Sequence, residues 1–169
     1  LQNLEIKAVY PNLEYAAAQA IAIGAHLEWE CEQQDTYFKV AQGKLKLRQV
    51  SGHPAELIHY QRSTTSEVKT SDYLIYRTSD PDMLGRILES FLHSDTVVKK
   101  NRTLYLWHNV RIHLDRVEGL GNFIEFEAVI TDNADHILSR ERLEYLITIF
   151  AIDPDALQTV GYYELINSR

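Results

Sequence analysis

Polar and apolar residues alternate with a period of two through much of the chain, most clearly from Arg111 to Glu127. Arg111, His113 and Asp115 share one face of an extended segment, and Ile112 and Leu114 share the other. After a turn bearing Gly119 and Gly121, Glu125 and Glu127 lie opposite Ile124, Phe126 and Ala128. The pattern predicts an antiparallel hairpin with one apolar and one charged face. Strands are also predicted over residues 4–10, 34–40, 44–48, 56–62, 71–78 and 96–106. Glu5 and Lys7, with Asn3 before them, oppose Leu4, Ile6 and Ala8. Lys44, Lys46 and Arg48 alternate with Leu45 and Leu47, and Lys100 and Arg102 share a face with Val98 and Leu104.

Three stretches carry helical spacing. The first covers 13–23, with Asn12 as N-cap and Gly24 as C-cap. The second starts after Asp80, with Pro81 at its first position. Met83, Leu84, Ile87, Leu88, Phe91 and Leu92 are its expected apolar face. The third runs over 134–150, with Ile137, Leu138, Leu143, Leu146, Ile147 and Phe150 expected in the core. Residues 153–166 read as a short, less regular ending, and no internal repeat is read. The plan is α+β and mostly antiparallel, with hairpins able to close into a barrel.

Composition narrows the class. The 169 residues, 45% hydrophobic and 24% charged, suit one globular domain over 1–169. No apolar run is long enough to span a bilayer, and no signal-peptide pattern is read. Cys31 is alone, so disulfides cannot hold the fold and a cytoplasmic location is expected. The net charge of -7 argues against nucleic acid and anionic membranes as partners. The histidines show no zinc-ligand spacing, and neither the Gly-x-x-x-x-Gly-Lys nor the Gly-x-Gly-x-x-Gly loop is present. Trp29 and Trp107 are expected at the core or rim rather than against a ligand.

The helices need a sheet surface for their apolar stripes, so they belong outside the barrel and the charged strand faces point into a lumen. Isolated charges there would be prohibitively unfavourable. Opposite charges, water and a bound polyanion would relieve them. Carboxylates suit Mg²⁺ or Mn²⁺, and Lys and Arg suit phosphate oxygens.

Several motifs, in order, carry a family resemblance: Asn3-Leu-Glu5-Ile-Lys7, Gln34-Asp35-Thr36-Tyr37-Phe38, Lys46-Leu-Arg48, Lys100-Asn-Arg102, the hairpin core Leu114-Asp115-x-Val117-Glu118-Gly119-Leu120-Gly121, and Gly161-Tyr162-Tyr163-Glu164-Leu165. The chain resembles, over nearly its whole length, the CYTH superfamily of triphosphate tunnel enzymes, which includes class IV adenylyl cyclases and thiamine triphosphatases, and the cyclase-like branch fits best. The resemblance implies an eight-stranded, closed or nearly closed barrel holding a triphosphate. It implies Glu5, Glu125 and Glu127 as metal ligands, with Asp115 a further ligand or the partner that orients a basic residue. Lys7, Lys46, Arg48, Lys100, Arg102 and Arg111 would hold phosphates. A further basic position falls at Gln61 or Arg62. His113 would donate to phosphate, carry a proton, or serve only as a wall residue. The catalytic set implied is Glu5, Lys7, Asp115, Glu125 and Glu127, with Mg or Mn as cofactor. ATP or another organic or inorganic triphosphate would be the ligand, and a homodimer is an assembly the resemblance leaves open. The activity is a cyclase with a ribose hydroxyl as nucleophile, or a triphosphatase with water. Asn3 stands where the pattern has Glu, which keeps a third reading open: a module that binds a nucleotide or polyphosphate without turning it over.

Overall fold

The period-two segments all become strands. The structure is a computed structural model and describes residues 2–62, 69–130 and 135–168. In order come β1 (Gln2–Val9), α1 (Leu13–Ala22), β2 (His26–Phe38), β3 (Lys44–Val50), β4 (Ala55–Arg62), β5 (Lys69–Thr78), α2 (Pro81–Glu89), β6 (Ser94–Trp107), β7 (Val110–Val117), β8 (Gly121–Ile130) and α3 (Asp135–Ile149). A single 3₁₀ turn, Pro154–Ala156, and α4 (Tyr162–Asn167) follow. The strands close in the order β1-β5-β4-β3-β2-β6-β7-β8, with β1 pairing antiparallel to both β5 and β8. Closure leaves no edge strand to pair with a neighbour. The order β-α-β-β-β occurs twice, as β1 to β4 around α1 and as β5 to β8 around α2. The sequence shows no such repeat because the side chains of the two halves differ.

The largest apolar core lies outside the barrel. Leu4, Ile6 and Ala8 of β1, Ile112 and Leu114 of β7, and Phe126 and Ala128 of β8 pack against Leu13 and Ala16 of α1, Leu143 and Leu146 of α3, and Phe150 just past it. A second outer cluster sets Leu88 of α2, with Leu84 and Leu92, on Phe38, Leu47 and Ala55. Both clusters turn the opposite strand faces inward. Asn12 caps α1 by accepting from the Tyr15 N–H at 2.9 Å, and Asp80 caps α2 by accepting from Met83 at 3.0 Å. Gly24 follows α1 at φ +82°, a conformation glycine takes readily.

Four expectations change. β2 starts at His26, well before residue 34. Leu27, Trp29 and Cys31 alternate there with Glu28, Glu30 and Glu32. Glutamate is a weak strand former, but pairing with β6 along the whole length overrides that preference. In α2 only Leu84, Leu88 and Leu92 face the sheet. Met83, Ile87 and Phe91 are 48%, 50% and 61% exposed, because each lies one residue, about 100° of helix, away from the buried row. In α3 Ile137 and Leu138 are exposed, and burial is concentrated at Leu143, Leu146 and, just past the helix, Phe150. The C-terminal piece forms α4, which seats across one end of the barrel. Among the described residues, no helix is long and apolar enough to cross a membrane.

Candidate functional site: a charged, dead-ended lumen

The inward faces enclose a cavity of about 570 Å³. Asn3, Glu5 and Lys7 reach it from β1, Lys46 and Arg48 from β3, Lys100 and Arg102 from β6, Arg111 and His113 from β7, and Glu125 and Glu127 from β8. Tyr162 of α4 closes the end near Lys7 and Lys100. Its ring lies 4.1 Å from the Lys7 Nζ and 4.8 Å from the Lys100 Nζ, and Phe123 meets its edge at 5.1 Å. Cations over an aromatic face are held by the ring's quadrupole. The opposite mouth is open: Arg111 is 44% exposed there.

Asp115 organises the closed end. Arg102 lies opposite it in the β6–β7 register and donates to it through Nε and Nη2, both at 2.6 Å. Lys100 Nζ donates at 3.1 Å and the Tyr162 hydroxyl at 2.7 Å. Arg102 Nη2 also reaches Glu125 Oε2 at 2.9 Å. Burial pushes the Asp115 carboxyl up, but the charges of Arg102 and Lys100 outweigh it and hold the group below the usual carboxylate range. Burial and then the Arg102 charge bring Lys100 down to about 7. Burial, together with Asp115 and Glu125, raises the Tyr162 hydroxyl well above its usual range, so it remains a donor.

A second nest lies across β2 and β3. Asp35 sits opposite Arg48 in register and accepts from its Nε at 2.9 Å and its Nη2 at 3.0 Å. Lys46 Nζ donates at 2.8 Å, and Gln33 Nε2 donates at 3.1 Å. Burial would raise the Asp35 carboxyl, and Arg48 and Lys46 instead hold it well below its usual range.

The carboxylate side is formed by β1 and β8. Lys7 is opposite Glu125 in register and pairs with its Oε1 at 3.2 Å. Burial would raise the Glu125 carboxyl, but Lys7, His113 and Arg102 keep it well below its usual range. Glu5 is opposite Glu127 on the lumen face. Like charges facing each other across a sheet are unfavourable unless a cation lies between them. The His113 ring lies between Glu125 and Glu127, with Nδ1 and Nε2 each 3.5 Å from a carboxylate oxygen. Both ring nitrogens are buried without a normal hydrogen bond. Burial and the Arg102 charge depress its pKa, against the raising pull of Glu125 and Glu127. Asn3 is buried and donates through Nδ2 to Glu127 Oε1.

These oxygen donors fit a hard divalent cation. Among the described residues no three His, Cys, Asp or Glu side chains converge to hold one alone. Mg²⁺ needs less, since one or two carboxylates and substrate phosphates complete its shell. The structure therefore brings together Glu5, Lys7, Lys46, Arg48, Lys100, Arg102, Arg111, His113, Glu125 and Glu127 around one lumen; Asp115 does not line it but lies fully buried behind Lys100 and Arg102, the partner that orients basic residues. Gln61 is exposed, and the Arg62 side chain lies outside the described residues. Lys46 and Arg48 point inward while Leu47 packs under α2. Two partners were not read as site residues from the sequence. Asp35 falls within a family motif but its periodicity gives only a strand, and Tyr162 sits in a helix too short for periodicity to reveal.

An eight-stranded antiparallel barrel with helices outside and a charged lumen is the architecture of a triphosphate tunnel. The CYTH domain model matches residues 1–158, and the chain belongs to the CYTH domain family. It is similar to the PH1012 protein of Pyrococcus horikoshii OT3, with TM-score 0.85, 20% identity, and 96% of this chain and 98% of that one covered. A candidate adenylate cyclase of Vibrio parahaemolyticus gives TM-score 0.83 at 19% identity over 98% and 97%. A chain of the Schizosaccharomyces pombe Mediator head module gives 0.69 at 8% over 90% and 97%. At these identities the likeness is one of fold. No curated protein matches the chain.

Proposed function

We propose that the lumen binds a triphosphate-bearing small molecule together with Mg²⁺ or Mn²⁺ and acts on it, as an adenylyl cyclase-like enzyme or a triphosphatase. One observation carries this reading. At the closed end the buried bases Lys7, Lys46, Lys100 and Arg102, with the half-buried Arg48, outnumber the carboxylates Asp35, Asp115 and Glu125. An excess of buried positive charge is stable only with an anion to meet it, and a dead end suits the terminal phosphates of a chain.

In this reading Arg48 and Lys46 grip phosphate oxygens. Arg48 reaches Asp35 through Nε and Nη2, which leaves its Nη1 edge for a ligand. Asp35 and Asp115 are positioning residues: their charge-assisted bonds fix where the basic groups stand. Lys100 gains its proton fully when phosphate arrives. One or two of Glu5, Glu125 and Glu127 would hold the metal together with the substrate's phosphate oxygens, whose charge it would neutralise when bound. His113, set between Glu125 and Glu127, takes the proton from the attacking hydroxyl. With water attacking, the outcome is phosphate release. With a ribose 3′-hydroxyl attacking the α-phosphate, it is a cyclic nucleotide and pyrophosphate.

A second reading, a binding module with weak or no turnover, is favoured by Asn3. It is neutral where a third carboxylate would strengthen the metal site, and its amide engages Glu127. Phosphate release and cyclic-nucleotide formation, from ATP and from inorganic triphosphate, with Mg²⁺, with Mn²⁺ and with chelator, separate the readings. Metal-dependent product from either substrate supports the enzyme. Tight binding without product supports the module.

A further inference from the structure

The helices cover the barrel unevenly. The strand order matches itself when β1 is exchanged with β5, β2 with β6, β3 with β7 and β4 with β8. That exchange carries α1, which packs on β7 and β8, to α2, which packs on β3 and β4. The third helix, α3, packs on β8, β1 and β7, so its counterpart would lie over β4, β5 and β3, beside α2. That place is open. Leu74 and Tyr76, which point outward from β5, are 75% and 63% exposed, while Ile75 and Arg77 turn to the lumen.

The open place is apolar and continuous with α2. Tyr76 stands opposite Leu57 and Leu74 opposite His59 in register, and Leu57 packs in the cluster beneath α2. Next to the α2 leucines lies the row Met83, Ile87 and Phe91, about half exposed. Single exposed apolar residues are ordinary, but a contiguous group on adjoining elements marks a contact surface. The first half of the chain gives the contrast: Ala16 and Ala20 of α1 are fully buried in the cluster that α3 completes.

Direction and charge indicate what fits there. β1 and β8 are antiparallel, and α1 and α3 each fold back from the end of one of them, so α1 and α3 run in opposite directions. A helix in the open place would likewise run opposite to α2. A second copy of α2 does so by symmetry when a two-fold axis relates the copies. Arg86 and Glu89 flank the Met83, Ile87 and Phe91 row on its solvent side, and both are exposed. With the axis between Ile87 and Leu88, Arg86 of each copy stands level with Glu89 of the other, so the pattern is self-complementary. Glu89 accepts from the Ser94 N–H through Oε2 at 2.8 Å, which holds its carboxylate in position.

We infer that two copies of this chain associate through the outer face of β4–β5 and the Met83, Ile87 and Phe91 row, with α2 of each copy antiparallel to α2 of the other. The interface lies on the sheet face opposite the lumen, and its formation does not depend on what the lumen binds. Of the homodimer that the family resemblance leaves open, it specifies the face and the helix direction.

Sedimentation equilibrium of the full chain across the micromolar range tests this, on wild type, Tyr76→Glu, Ile87→Glu, Arg86→Glu and the double swap of Arg86→Glu with Glu89→Arg. Wild type is expected to sediment at twice the mass of one chain. Tyr76 and Ile87 are open to solvent in a single copy, so both Glu variants are expected to keep the wild-type circular dichroism while the dimer dissociation constant rises by more than about tenfold. Arg86→Glu is expected to weaken the dimer and the double swap to restore it. A monomeric wild type overturns the inference and leaves the face to a different protein. So does a dimer that Tyr76→Glu and Ile87→Glu leave intact. A double swap no tighter than Arg86→Glu alone also overturns it, because the copies would then meet in another arrangement.

Discussion

The two aspartate nests share a motif and differ in what surrounds it. Each sets a Lys-x-Arg strand beside an aspartate, with the arginine directly opposite and bidentate and the lysine adding a third contact. Asp115 has in addition the Tyr162 hydroxyl, and its arginine extends to Glu125. The Arg102 side chain is 5% exposed, against 23% for Arg48. A dry, fully satisfied nest is part of the framework, since losing any member leaves a buried charge uncompensated. A nest that touches the water of the lumen can exchange some of its contacts for those of an entering anion. On the proposed function, Asp115 would chiefly hold the closed end together and the Lys46–Arg48 edge would meet the ligand.

The largest expected effect is on stability. Asp115→Ala strands Lys100 and Arg102 and should lower the unfolding free energy by about 3–5 kcal/mol. Asp35→Ala, with solvent at hand for Arg48, should cost about 1–3 kcal/mol. Chemical denaturation of both variants checks the order, and equal losses would break the distinction between the nests.

Next comes the carboxylate wall. Replacing Glu125 and Glu127 together by Gln should abolish the part of triphosphate binding that depends on divalent metal and leave the folded state intact by circular dichroism. If added Mg²⁺ still tightens binding in the double variant, the metal is held elsewhere.

A smaller effect concerns pH. Lys100 in the folded chain sits at about 7, through burial and then the Arg102 charge, whereas an unfolded lysine titrates near 10.4. Between those values the unfolded chain binds more protons, so the Lys100 contribution makes stability rise with pH from about 7 upward. Lys100→Met should flatten this rise in unfolding curves taken from pH 6.5 to 9. An identical slope in the variant would show that the titrating group is another one.

The smallest effect is expected at Asn3. Asn3→Glu sets a carboxylate against Glu127 and should tighten divalent metal binding modestly in the presence of triphosphate. In an active enzyme it should also raise turnover at limiting metal. Unchanged metal titrations would remove residue 3 from the site.

Much of this was legible in the sequence because alternation is a local signal. Lys46 against Leu47, or Glu125 against Phe126, reveals which face is charged, and the apolar stripes of α2 and α3 reveal that the helices must cover the other face. Asp35 was visible within a motif but not as a site residue, because a carboxylate in a strand-forming run looks solvated until its partner strand is known. Tyr162 was visible as a motif but not as a contact, since the Asp115 to which it donates lies 47 positions away. Met83, Ile87 and Phe91 misled for the opposite reason. Helical spacing shows that an apolar arc is wide, and only the shape of the sheet beneath decides how much of it is buried. The doubled β-α-β-β-β order stayed hidden because the halves keep their topology while their lumen residues diverge, as with Asp35 acidic on β2 and Lys100 and Arg102 basic on β6.

The central claim is that the Lys46–Arg48 edge of the lumen holds phosphate. Its most direct test is calorimetric titration of inorganic triphosphate, in chelator and then in Mg²⁺, into wild type, Lys46→Ala and Arg48→Ala. The account predicts binding by wild type in both conditions, strengthened by Mg²⁺. Each substitution should weaken it by about 1.5–3 kcal/mol even without metal, the contribution of a hydrogen bond to a charged group. Wild-type affinity in both variants, or no binding by wild type in either condition, would contradict it.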